Sequence, residues 1–107
     1  MDNQYKSFKQ FYPFYLSEHI NPVCRGLHFI GTFCVIGIII ISFTNINALY
    51  FAPICGYGFA WIGHFFFEKN RPATFTYPLY SLIGDWVMFK DILIRKESII
   101  NPKLPIK

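Results

Sequence analysis

Two long stretches, 27–43 and 48–67, contain no Asp, Glu, Lys or Arg. Each approaches the ~17 to 25 residues that carry a helix across a bilayer, and the uncharged turn at 44–47 joins them. The pattern predicts a helical hairpin. Asn21-Pro22 reads as its start, because Asn can accept from the free amides of a first turn and Pro suits the first helical position. The first spanning helix is therefore expected over 22–43. Upstream, Tyr5, Phe8, Phe11 and Tyr12 recur at helical spacing with Lys6, Lys9 and Gln10 opposite, predicting an interfacial helix. Pro13 should end or kink it by clashing with the carbonyl four residues back, leaving 14–20 as a second short element. Downstream, 70–77 with Pro72 reads as a loop, and Pro78 opens a last helix reaching about Arg95. That helix is long enough to span. Asp85 at its middle would cost ~3 kcal/mol in a bilayer, and spanning would export Lys90, Arg95, Lys96, Lys103 and Lys107, so an interfacial or re-entrant placement is expected. Residues 101–107, with Pro102 and Pro105, read as a loose tail.

The fold class expected is all-α and integral to the membrane, in one domain over 1–107. It divides into an interfacial N-terminal segment (1–21), a transmembrane hairpin (22–67), and a loop, amphipathic or re-entrant helix and tail (68–107). The chain is 53% hydrophobic and 21% aromatic, too apolar for a soluble unit of this length. Lys6, Lys9 and Arg25 precede the hairpin and seven further Lys and Arg follow it, which places both termini in the cytoplasm. The net charge of +4 is spread over both flanks; it suits anionic headgroups and excludes nucleic acid as a partner. Three cysteines, Cys24, Cys34 and Cys55, imply no disulfide framework. The first apolar run begins only after residue 26, so no cleaved signal peptide is expected. A bacterial inner membrane is favoured over the endoplasmic reticulum. Oligomeric state stays open, with a second copy of the chain as a candidate partner.

His19, His28 and His64 lie in three segments. His28 opens the first apolar run and His64 nearly closes the second, so a rise of 1.5 Å per residue puts each within roughly 5 Å of the cytoplasmic boundary. Antiparallel crossing brings them to one level with His19. Imidazole is the commonest ligand for intermediate metals, and Fe(II) oxygenases use three protein ligands on one face. Three histidines supply that count; the bland alternative is three separate interfacial hydrogen-bonding residues. Gly56, Ala60 and His64 follow at four-residue steps, a stripe that permits close helix approach. Glu68, four residues beyond His64, shares its face if the helix persists. Glu68 and Asp85 are the candidate catalytic carboxylates, as partners of ligand histidines, a fourth ligand, or members of ion pairs. Arg25, Lys69 and Arg71 stand at the same edge, where they can hold a lipid carboxylate or serve only as topology signals.

The stretch Tyr15-Leu-Ser-Glu-His19-Ile-Asn-Pro22-Val-Cys-Arg25-Gly-Leu-His28-Phe-Ile-Gly31, with Gly63-His64-Phe-Phe-Phe-Glu68-Lys69-Asn-Arg-Pro72-Ala73, resembles the 2-hydroxy fatty acid dioxygenases of fungi and bacteria. His19, His28 and His64 match that family's histidine positions. The resemblance implies a membrane enzyme that uses Fe(II) and dioxygen to shorten long-chain 2-hydroxy fatty acids by one carbon. The ligand count agrees: three histidines leave positions for the hydroxyl and carboxylate of such an acid and for dioxygen. A reading from another class is a small non-enzymatic membrane protein that binds lipid or assists a partner.

Overall fold

The computed structural model describes residues 5–100, so the tail expected at 101–107 lies outside the described residues. Among these residues the chain is all-helical. Helix α1 spans Phe8–Ser17, α2 Pro22–Ser42, α3 Phe51–Ile62 and α4 Pro78–Leu93. A 3₁₀ segment, Ile46–Tyr50, leads into α3, and a π-helical segment, Gly63–Glu68, continues it. A second 3₁₀ turn, Ala73–Phe75, precedes α4.

Helix α2 begins as its sequence predicts. The Asn21 side chain accepts from Val23 N at 2.8 Å and Cys24 N at 3.3 Å, and Pro22 takes the first helical position. α2 and α3 then run antiparallel in close contact. A Cβ added to Gly63 would stand 3.0 Å from Cys24 Cα and Sγ, and one added to Gly31 would stand 3.1 Å from Phe59 Cβ. α2 is long and apolar enough to cross a membrane, with mean hydropathy 2.0 over its most apolar stretch. No second described helix meets both criteria, because the apolar run 48–67 is divided among 3₁₀, α and π geometry.

One expectation for the N-terminal segment needs correcting. Pro13 lies inside α1, which continues past it as one helix. A missing amide and a crowded Lys9 carbonyl are local costs, and the aromatic packing on both sides of Pro13 holds the helix together across them. The aromatic face of α1 also turns inward: Phe11, Tyr15 and Leu16 form a buried cluster with Met88 of α4, and Tyr5, Phe8, Tyr12 and Phe14 pack against it. α4 comes so close to α1 that a Cβ on Gly84 would meet the Tyr15 ring at 2.8 Å. This clamp fixes Tyr15, and hence the linker carrying His19, over the end of the hairpin.

Candidate metal centre

His19 lies in the linker between α1 and α2, His28 two turns into α2, and His64 in the π segment. All three are buried, with one ring nitrogen from each inside a sphere of mutual distances no greater than 4.8 Å. Ring centroids are 4.4, 4.5 and 4.8 Å apart and the planes stand 74° to 90° to one another. The charge asymmetry in the sequence had pointed to this convergence.

The outward nitrogen of every ring is occupied. Nδ1 of His19 meets the Tyr15 carbonyl at 2.6 Å, and Nδ1 of His28 meets the Cys24 carbonyl at 2.8 Å. A carbonyl only accepts, so both Nδ1 atoms carry the hydrogen. Nδ1 of His64 meets Asn70 Oδ1 at 2.7 Å, while Asn70 Nδ2 donates to the Glu18 carbonyl at 3.0 Å. That donation orients the amide so that its oxygen faces the imidazole. The three Nε2 atoms are then bare, and those of His19 and His28 stand 3.1 Å apart. Two lone pairs at that distance repel, and a shared cation would turn the repulsion into ligation. Nitrogens bound about 2.1 Å from one metal at right angles are separated by roughly 3 Å. Burial, with His28 and His64 next in effect, holds His19 well below the usual histidine range, so it stays neutral and able to ligate.

The π segment explains how His64 finds its partner. It closes at Lys69, whose φ of 63° is left-handed, and Asn70 N–H returns to the His64 carbonyl at 3.0 Å. The same turn brings the Asn70 amide back onto the ring. The helical register expected between His64 and Glu68 is lost, and the Glu68 carboxylate instead accepts from Asn21 N–H, tying the end of the π segment to the start of α2.

Of the other expected site residues, Asp85 joins the histidines while Arg25, Lys69 and Arg71 do not line their cavity. Asp85 lines the small cavity, about 20 Å³, whose walls include His19, His28 and His64. It accepts from the Tyr15 hydroxyl, and the Tyr15 ring stacks on His19 at 4.1 Å. Burial pushes the Asp85 carboxyl up to about 7. Arg25 is fully buried: Nε donates to the His19 carbonyl at 2.9 Å, and Nη1 pairs with Glu97 at 2.6 Å and donates to the Ser98 carbonyl at 3.0 Å. Lys69 and Arg71 are exposed, Arg71 lying 5.2 Å from the Phe75 ring centroid. Asn70, Tyr15, Glu97 and Ser81 were not foreseen. Ser81 is buried in the cavity wall, and its Oγ has no hydrogen-bond partner.

A family model described as 2-hydroxy-palmitic acid dioxygenase Mpo1-like matches residues 5–97. The chain belongs to that family. The Mpo1-like match spans all four helices and all three histidines, and the family name points to a dioxygenase of 2-hydroxy fatty acids. Comparison with curated proteins and with solved structures gave no match. In this Mpo1-like chain the histidine triad could hold a metal ion, and iron is compatible with its nitrogen donors.

Proposed function

We propose that this protein is an Fe(II)-dependent dioxygenase of long-chain 2-hydroxy fatty acids, working at the cytoplasmic face of a membrane and shortening its substrate by one carbon. One observation carries the reading: three buried imidazoles converge on a cavity of ionic size with every Nδ1 tethered outward and every Nε2 bare. An all-nitrogen facial set suits Fe(II) and leaves positions for a bidentate substrate and dioxygen. Iron held there would supply coordination sites and a redox-active centre for dioxygen, the electrons of the oxidation coming from the 2-hydroxy acid itself.

The protein's own groups do the rest. His19, His28 and His64 hold the ion; the Tyr15, Cys24 and Asn70 oxygens fix their tautomers and ring orientation. Arg25 braces the His19 carbonyl, and its remaining donors go to Glu97, Ser98 and Leu16, so we assign it to positioning rather than to substrate. Lys69 and Arg71 are left to face the headgroup region. Asp85, in the cavity wall with Tyr15 donating to it, is the group placed to hold or move a proton beside the substrate hydroxyl. Glu68 acts from outside the cavity by fastening the two hairpin ends.

Membrane placement draws support from the surface. Ile40, Phe43, Ile46, Phe51 and Ile54 expose 56% or more of their area beside a helix only 28% buried over its apolar stretch, a composition that suits lipid better than water. The hairpin is read as the spanning unit, with α1 and α4 at the cytoplasmic interface.

Iron content tests the reading. Protein purified anaerobically in detergent should hold iron that His28→Ala and His64→Ala remove, and the iron-loaded wild type should convert 2-hydroxypalmitic acid with oxygen to the one-carbon-shorter product. Iron at trace levels, unchanged by both substitutions, would leave a lipid-binding protein without catalysis.

A further inference from the structure

A second cavity of about 350 Å³ opens between α2, α3 and α4, inside the ~300 to 1,000 Å³ range of small-molecule pockets. His28 and Asp85 belong to its wall and to that of the histidine cavity, so the two are neighbours behind a shared partition. From there the larger cavity follows α3 away from the triad. Ala60, Gly56 and Ala52 recede from His64 at four-residue steps, which at 1.5 Å per residue places them about 6, 12 and 18 Å along the axis. Val35 faces them from α2 and Trp86 from α4. Apart from Thr32 and Tyr57 the lining away from the partition is apolar, whereas the partition end carries Asp85 and, on the histidine side, the unpartnered Ser81 hydroxyl. Polar at one end and apolar along its length, this space has the chemistry of a fatty acid.

Resting on the function read above, we propose that the α2–α3–α4 cavity holds the substrate's acyl chain, that Gly56 sets the chain length it accepts, and that Ser81 Oγ donates to the polar head. Gly56 is the gauge because it is the bare position midway along the wall. A Cβ there would lie 3.5 Å from Val35 Cγ2, an ordinary contact, so Ala fits while a longer side chain occupies the channel. Ser81 is the anchor because a buried hydroxyl without a partner has an uncompensated cost, and a carboxylate or hydroxyl oxygen arriving beside the triad would relieve it.

Trp86 reports occupancy without requiring iron. The chain contains two tryptophans, so Trp61→Phe leaves Trp86 as the lone emitter. In nanodiscs of unbrominated lipid, 2-hydroxypalmitic acid brominated at mid-chain should quench it saturably. Gly56→Leu should weaken that binding about tenfold, the equivalent of roughly two displaced methylenes, while leaving brominated 2-hydroxyoctanoic acid unaffected. Gly56→Ala should retain the wild-type preference and so report on folding. Ser81→Ala should weaken the 2-hydroxy acid severalfold but not a brominated alkane. Nanodiscs of brominated phosphatidylcholine, run in parallel, identify bilayer lipid as the occupant if they quench equally and the added acid cannot compete. Linear, unsaturable quenching, or identical chain-length profiles for wild type and Gly56→Leu, would overturn the proposal. Turnover by iron-loaded protein with an unmoved profile would sink the channel assignment alone. Saturable binding with a shifted profile in a protein that neither holds iron nor turns over would sink the dioxygenase reading and keep the channel.

Discussion

The two ends of the α2–α3 hairpin have opposite composition. At the histidine end, buried positions are polar or charged: His19, Arg25, His28, Thr32, His64 and Ser81 are all under 9% exposed. At the turn end, exposed positions are apolar: Phe43 is 85% exposed, Tyr50 76% and Ile46 67%. A soluble protein sorts these groups the other way. The contrast teaches that the apolar cluster of Phe11, Tyr15, Leu16 and Met88 clamps α1 to α4, while the enclosed imidazoles and guanidinium beside it are held by tethers. Every enclosed imidazole, and the one enclosed guanidinium, has a named oxygen against it, and apolar side chains need no partner where hydrocarbon surrounds them.

The largest effect is expected at the triad. His64→Ala should reduce iron to background by elemental analysis while α-helical content by circular dichroism stays near wild type. Removing one partner of the buried ion pair comes next: Arg25→Met takes away the guanidinium that pairs with Glu97 and braces the His19 carbonyl, and up to about 3 to 5 kcal/mol of stability should be lost, read as a lowered thermal midpoint in detergent. The far end should respond in the opposite sense. Ile40→Asp places a charge where lipid is expected, at about 3 kcal/mol, so the membrane-extracted fraction should fall while iron per inserted molecule is unchanged; iron loss from this change would mean the ends are not independent. Asn70→Ala removes the oxygen behind His64 together with the amide's bonds to Glu18, and metal affinity should drop about 10- to 100-fold in a competition titration. The smallest effect is with pH. His19 is held below its ordinary 6.5, so its neutral ligating form persists into more acid solution. Iron should stay bound as pH falls through about 6.5 and be released only below it; release at or above that midpoint would show His19 to be an ordinary exposed imidazole.

Much of the triad was legible because its signal is coarse. Charge-free runs flanked by basic residues fix which helix ends share a level, and His28 and His64 stand at those ends. Helix starts at Asn21-Pro22 and Pro78 were legible for the same reason: capping and proline geometry act within a few residues. Asn70 was not. Its place beside His64 depends on a π turn and a left-handed Lys69, neither of which has a local sequence rule strong enough to foresee. Arg25 reads at sequence level as one more cation at the headgroups, because its partner Glu97 lies 72 residues away. Pro13 misled in the other direction, since a local stop signal was overruled by aromatic packing between α1 and α4.

The outward hydrogen bonds of the three imidazoles carry a consequence for metal exchange. Rings held by Nδ1 cannot spin to hide their inner nitrogens, so the claw keeps its shape whether loaded or empty. For an ion held there, uptake and release would be a matter of access rather than of refolding, and a chelator should strip it without melting the protein.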